Sequence, residues 1–378
     1  MTPDTVGILP PGALGVAFFY QLTRELTELE RVFFLSRRGS ASAQGLQALG
    51  LTLKTAQGLR QIDGSLLKPD LLALESLPEV LLVCPNPDQL LEVMTDLVEV
   101  LIKLYRQGRD WTALPLVVLS ANGIYYQRVR QVLIEKLEEG TLFGRLPDLW
   151  PEAMPQMVGR LLRGVTLQTG LREGSGSQTV YVPGPPGPTK LAGGELRHRE
   201  RASALLNKLG GWFEVEQERS ATRLEFDKAL VNLAANLLGQ VYAIDETGRF
   251  TLLRVKEIVV PAHLEEVREL VYRVFAVGQA VNAYPPTEDR EVIFQNLLLN
   301  CKRHADHIPS SLQWVNLNLY RGTLAPELTP TEAWLLEPLR RYALAGGLEE
   351  TALYFEQLKA RLVHKLTLAA ARQVPVSP

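Results

Sequence analysis

Residues 5–15 read TVGILPPGALG. A short apolar run (5–9) breaks at Pro10, Pro11 and Gly12, passes Gly15 and continues into an apolar-periodic segment from Val16 to about Leu29. That order predicts strand, glycine turn, helix. Working outward, Val32 to Leu35 (VFFL) ends at Ser36, Arg37 and Arg38. VLLVC at 80–84 stops at a Pro-Asn-Pro turn, and LPLVVLSA at 114–121 stops at Asn122 and Gly123. Apolar strands alternating with helical stretches predict a parallel sheet covered by helices on both faces, an α/β fold of the Rossmann type.

The turn itself carries a chemical suggestion. PPGALG at 10–15 matches G-x-G-x-x-G with its first glycine replaced by Pro10. Gly12 would let the backbone approach a diphosphate, and Gly15 would let the helix pack close to the strand. Pro11, Ala13 and Leu14 complete the loop at the helix N-terminus, whose N–H groups and dipole suit an anion. Pro10 works against this, because it fixes φ and removes an N–H. At the end of the second strand, where an acidic residue would hold a ribose 2′-hydroxyl, stand Arg37 and Arg38, which suit the 2′-phosphate of NADP. A solvated basic turn, and a Rossmann-like fold whose nucleotide site is weakened or lost, both stay open here.

Further along, 141–160 and 174–194 are rich in Pro and Gly and predict loops or short strands. From about 221 long helical periodicities dominate, which places a domain boundary near 218: a nucleotide-binding domain over 1–218 and an α-helical domain over 219–378. There is no internal repeat. The chain has 378 residues, 46% of them hydrophobic and 22% charged, with a net charge of -2. Disorder is excluded as the main theme, and no basic excess favours nucleic acid. Cys84 and Cys301 lie far apart without metal or redox spacing, which fits a reducing, cytoplasmic setting. No secretory signal and no apolar run long enough for a membrane span is expected. His304, Asp306 and His307 sit within one turn but lack a partner cluster, so no metal site is expected. His198, His263 and His364 read as surface residues.

One segment stands out in the helical half. FDKALVNLAAN (226–236) sets Lys228, Asn232 and Asn236 at steps of four among apolar residues. Polar groups on an otherwise buried helix are costly unless paired, so the pattern suggests a polar pocket. A helix–helix hydrogen-bond seam is the alternative.

With the upstream turn, this pattern resembles the ketopantoate reductase (2-dehydropantoate 2-reductase) family of the 6-phosphogluconate dehydrogenase-like superfamily. KALVNLAAN follows the family's K-x-x-x-N-x-x-x-N, PPGALG its glycine turn, SANG (120–123) its cofactor turn, and RGVTLQTGLREGSGSQTVYVPGPPGPTKLAGG (163–194) its edge hairpin. The resemblance implies a two-domain enzyme reducing a 2-oxo acid with NADPH in the cleft between domains, in the first place ketopantoate to pantoate. It implies Lys228 as the acid that protonates the carbonyl oxygen. Asn122 would lie between nicotinamide and substrate, Asn232 and Asn236 would hold the substrate, and Ser311 in HIPSSLQ (307–313) would hold its carboxylate.

Four positions depart from the family. These are Pro10; Asn86 where a lysine is usual; the acidic block after Gln313, for which Glu332 is preferred over Glu327 as the catalytic-site glutamate; and Thr247 in place of an asparagine. They leave open a different oxo acid or a non-catalytic nucleotide-binding protein. The expected partner is a small 2-oxo acid, with no nucleic acid and no membrane, and with a homodimer left open.

Overall fold

The computed structural model describes residues 4–24, 29–40, 46–174 and 179–372. It divides into two compact units, one of residues 1–122 and 126–221, the other of 123–125 and 222–378.

Among the described residues the first unit holds twelve strands: β1 (Val6–Leu9), β2 (Val32–Leu35), β3 (Leu51–Thr55), β4 (Gly58–Ile62), β5 (Leu67–Lys68), β6 (Val80–Val83), β7 (Leu116–Leu119), β8 (Leu161–Thr166), β9 (Gly170–Glu173), β10 (Val180–Pro183), β11 (Thr189–Ala192) and β12 (Phe213–Val215). Eight form one sheet in the order β12-β11-β8-β7-β6-β1-β2-β5. The six from β8 to β5 run parallel, and β11 pairs antiparallel with β8. All four residues of β1, β2, β6 and β7 are buried, as expected of strands covered on both faces. Helices Ala13–Thr23, Leu90–Arg106, Tyr126–Leu142 and Leu196–Lys208 accompany this sheet. Its core gathers Val6, Ile8, Phe18, Phe19, Phe34, Leu82, Val118 and Phe213.

Three expectations are corrected here. The single edge hairpin expected over 163–194 is divided between two sheets. β8 and β11 join the large one, while β9 and β10 pair with β3 and β4 in a four-stranded sheet of order β4-β3-β10-β9. Gly170 makes this possible, since a Cβ there would overlap the Ala13 carbonyl of the first helix. The start of the Gly- and Pro-rich stretch 174–194 falls partly outside the described residues. The stretch 141–160 is not simply loop, because it closes one helix at Leu142 and forms another at Ala153–Val158, burying Met154, Met157 and Val158. His198 is not on the surface: it is 8% exposed and its Nδ1 lies 2.9 Å from the Gly159 carbonyl oxygen.

The second unit is helical: Ala221–Val231, a π-helical turn Asn232–Leu237, Leu238–Ala243, Val255–Ile258, Leu264–Ala280, Arg290–Arg303, Ser310–Arg321, Pro330–Ala345 and Glu349–Ala371. Its core brings Leu233, Leu237 and Val241 together with Val271, Val274, Leu339, Phe355 and Leu358. His263 is stacked on Tyr242 at 3.8 Å between ring centroids. Among the described residues no helix is long and apolar enough to cross a membrane, and no group of three His, Cys, Asp or Glu could hold a metal ion. Asp306 instead pairs with Lys256 at 2.7 Å.

Candidate active site

In the first unit, β1 lies between β2 and β6, where the strand order reverses, so its carboxyl end opens onto the crevice that such sheets offer to ligands. The glycine turn sits at that end. Pro10 fits it through its carbonyl, which accepts the Gly12 N–H at 2.8 Å, while Gly12 in turn accepts from the Val16 N–H at 2.8 Å. A Cβ on Gly15 would overlap the same Pro10 carbonyl, whereas one on Gly12 would meet nothing within 4 Å among the described residues. Gly15 is therefore a packing glycine, and Gly12 borders open space. Pro11 is buried, and Gly12, Ala13 and Leu14 are partly exposed at the helix start. That helix has no side-chain cap and no acidic residue in its first turn. Such an end leaves N–H donors and a positive dipole for an anion, so these residues fit the diphosphate of a dinucleotide.

Arg37 and Arg38 follow β2. Arg37 Nη1 donates to Glu92 Oε2 at 3.1 Å. Arg38 is exposed and acts on Asp96, a neighbour of Glu92 on the same helix. Burial, reinforced by Glu92, pushes the Asp96 carboxyl up to about 6, and Arg38 opposes the shift. The pair is thus a basic turn set against carboxylates rather than a freely solvated one.

Asn122 follows β7, partly buried. Behind it, Arg163 of β8 donates to the carbonyl oxygens of Leu119 (2.8 Å) and Ala121 (2.9 Å). In the second unit, Gly123 has φ of 127° and its Cβ position is closed off by Trp334, with 3.1 Å to the side chain. The Ile124 N–H donates to the Trp334 carbonyl at 3.1 Å, and the Tyr125 N–H to Glu225 Oε1 at 3.3 Å.

The second unit carries the remaining candidates. Lys228, Asn232 and Asn236 are partly buried, while Ala229, Leu230, Leu233, Ala234 and Ala235 are buried. The expectation of one continuous α-helical face is corrected by the π turn that begins at Asn232. In an α-helix each four-residue step drifts by roughly 40° from the starting azimuth. A π turn holds more residues per turn, so the step from Asn232 to Asn236 rotates the other way and offsets that drift. The two asparagines meet, with Asn236 Nδ2 donating to Asn232 Oδ1 at 3.2 Å. Ser311, buried at the start of the helix Ser310–Arg321, places its Oγ 3.1 Å from the Asn236 carbonyl oxygen and 3.2 Å from Oδ1.

Glu332 joins this set through a residue the sequence reading missed. Gln240 Nε2 donates to Glu332 Oε1 at 3.1 Å and lies 3.3 Å from the Asn236 carbonyl oxygen. The signal was there: Gln240 continues the four-residue step from Lys228 through Asn232 and Asn236. Glu332 is 3% exposed, its Oε2 has no hydrogen-bond partner among the described residues, and burial pushes its carboxyl up to about 7. Glu327, the weaker candidate, is exposed.

No protein-family profile matches the chain, and no curated protein sequence matches it either. Solved structures do. A ternary structure of D-mandelate dehydrogenase with NADH and anilino(oxo)acetate superposes with a TM-score of 0.65 at 15% identity, covering 96% of this chain and 99% of that one. The 2-dehydropantoate 2-reductases of Geobacter metallireducens (TM-score 0.61, 16% identity, 95% and 99% covered) and Methylococcus capsulatus (0.59, 16%, 98% and 99%) do likewise. The chain has the ketopantoate reductase fold. Within that fold, the departures noted in the sequence find local roles. Asn86 is exposed and opens the short turn Pro87–Gln89, and Thr247 donates its N–H and hydroxyl to Asp245 Oδ1 at 2.8 and 2.7 Å.

Proposed function

We propose that the protein reduces a 2-oxo acid to the 2-hydroxy acid with a reduced nicotinamide dinucleotide, with ketopantoate as the first candidate substrate and NADPH as the first candidate cofactor. The observation that carries this reading is the hydrogen-bonded set Asn232, Asn236, Ser311, Gln240 and Glu332, one turn beyond Lys228. It is a polar constellation on otherwise apolar helices, with one carboxyl oxygen still unpartnered.

Ala13, Leu14 and Gly15 would hold the diphosphate on helix N–H groups, and Gly12 would leave the space for it to approach. Arg37 would exchange Glu92 for a 2′-phosphate, with the exposed Arg38 beside it, which a surface ion pair of this strength permits. A reduced nicotinamide bound there would supply the hydride that the carbonyl carbon takes up. Lys228 donates a proton from Nζ to the carbonyl oxygen as that bond forms, and regains one from solvent afterwards. Asn232, Asn236 and Ser311 would orient the acid by hydrogen bonds to its carboxylate or hydroxyl. Glu332, protonated near neutrality, can donate from its free oxygen as well as accept.

A second reading is favoured by the Arg37–Glu92 pair and by the D-mandelate dehydrogenase likeness: NADH as cofactor and a bulkier 2-oxo acid. The deciding experiment follows nicotinamide oxidation with ketopantoate and a panel of aliphatic and aromatic 2-oxo acids, with each cofactor. Turnover that falls by roughly 10²- to 10⁴-fold in Lys228→Ala supports the reading. Absence of turnover with every acid and both cofactors overturns it.

A further inference from the structure

We infer that Arg163 is a positioning residue for the cofactor site, its buried guanidinium fixing the turn that carries Asn122. The inference rests on the reading that Asn122 faces the nicotinamide end of a bound dinucleotide.

Arg163 sits in the middle of LLRGVT, a strand otherwise made of residues that pack, and it is 1% exposed. A guanidinium taken out of water is costly unless its donors are met, so an apolar residue would serve packing alone at less expense of free energy. What the guanidinium does is specific. Its Nη1 donates to the carbonyl oxygens of Leu119 (2.8 Å) and Gly164 (2.7 Å), and its Nη2 to that of Ala121 (2.9 Å). Leu119 is the last residue of β7 and stands opposite Arg163 in the sheet register. Ala121 lies past the end of that strand. The rigid planar fork therefore spans the last carbonyl of the strand and the carbonyl directly before Asn122, a geometry that lysine's single ammonium cannot reproduce.

The neighbouring backbone is shaped to let this happen. Gly164 approaches so closely that a Cβ would lie 2.7 Å from Ser120 Oγ and 2.8 Å from Val118 Cγ1. The Ser120 N–H is held by the Val83 carbonyl at 2.8 Å. Ser120 and Ala121 are thus fixed from both neighbouring strands, and the turn leaves the sheet in one direction.

The test uses the full chain with Arg163→Lys, Asn122→Ala and the double variant, titrated with NADPH and with adenosine 2′,5′-bisphosphate, which lacks the nicotinamide half. Circular dichroism melting accompanies each titration. The inference expects Arg163→Lys to bind adenosine 2′,5′-bisphosphate as the parent does while losing about tenfold in NADPH affinity. It also expects the double variant to lose no more than Asn122→Ala alone, since the two residues act as one unit. Equal losses for both ligands would assign Arg163 to fold maintenance, and additive losses would detach it from Asn122. Either result overturns the inference. A parent that binds adenosine 2′,5′-bisphosphate but gains nothing from the nicotinamide half also overturns it while leaving the phosphate cradle standing. A parent that binds neither ligand removes the NADPH reading and, with it, this inference.

Discussion

Glu332 condenses the chemistry of the second unit into one side chain. Its carboxyl is pushed from the usual 4.5 to about 7 because burial disfavours the charged form more than the Gln240 bond supports it. Below pH 4.5 the folded and unfolded chains both carry the proton. Between 4.5 and about 7 the folded protein keeps a proton that the unfolded chain releases, so stability falls as pH rises through that window. The penalty above it is on the order of 3 kcal/mol. Glu332→Gln, which can still accept from Gln240, is expected to be about that much more stable than the parent at pH 8 and no more stable at pH 4. Urea unfolding at the two pH values measures it, and equal differences at both would reject a neutral buried Glu332. The choice of Glu332 over Glu327 came from sequence order alone. The bond to Gln240 spans 92 residues and had no local signature.

At the scale of elements, the glycine turn and the π turn are the two devices that hold candidate groups in place. The glycines differ in kind, which gives a paired expectation. Gly12 has φ of -82° and open space around its Cβ position, so Gly12→Ala folds normally and loses nucleotide affinity because the methyl stands where a diphosphate would approach. Gly15→Ala forces the Pro10 carbonyl to move and lowers stability as well, by about 1–3 kcal/mol. Thermal melts and NADPH titrations of the two variants separate these outcomes. Unchanged affinity in Gly12→Ala would remove the diphosphate from this turn. The order of strand, turn and helix here was legible because apolar runs and periodicity are local, but the boundaries were not: the helix expected from Val16 to about Leu29 runs instead from Ala13 to Thr23. The π turn was not, because LAAN carries the same pattern in either helix type and only the packing of the asparagines against Ser311 distinguishes them.

Over the whole molecule, two units with separate cores carry different parts of the candidate chemistry: phosphate-fitting loops in the first, carboxamides, a hydroxyl and a buried acid in the second. A ligand that binds only the folded state stabilises it by mass action, by about 2.7 kcal/mol at a hundred times its dissociation constant. Melting curves with increasing NADPH and NADH should therefore rise with concentration, and the concentration needed for equal shifts ranks the two cofactors. If Arg37 and Arg38 read a 2′-phosphate, NADPH acts at the lower concentration. The reverse order would assign the arginines to Glu92 and Asp96 alone.

By itself the sequence determined the alternation of strand and helix, the glycine turn, the basic residues after β2, and the step of four from Lys228 to Asn236. Each is a matter of local backbone preference or of the period that one packed face imposes. Only the tertiary structure decided that β9 and β10 leave the hairpin for a second sheet, that Gln240 links Asn236 to Glu332, and that Arg163 lies under the Asn122 turn. These depend on which distant groups share a water-free space. There each buried donor or charge must find its partner across the fold, and chain spacing carries no record of that choice.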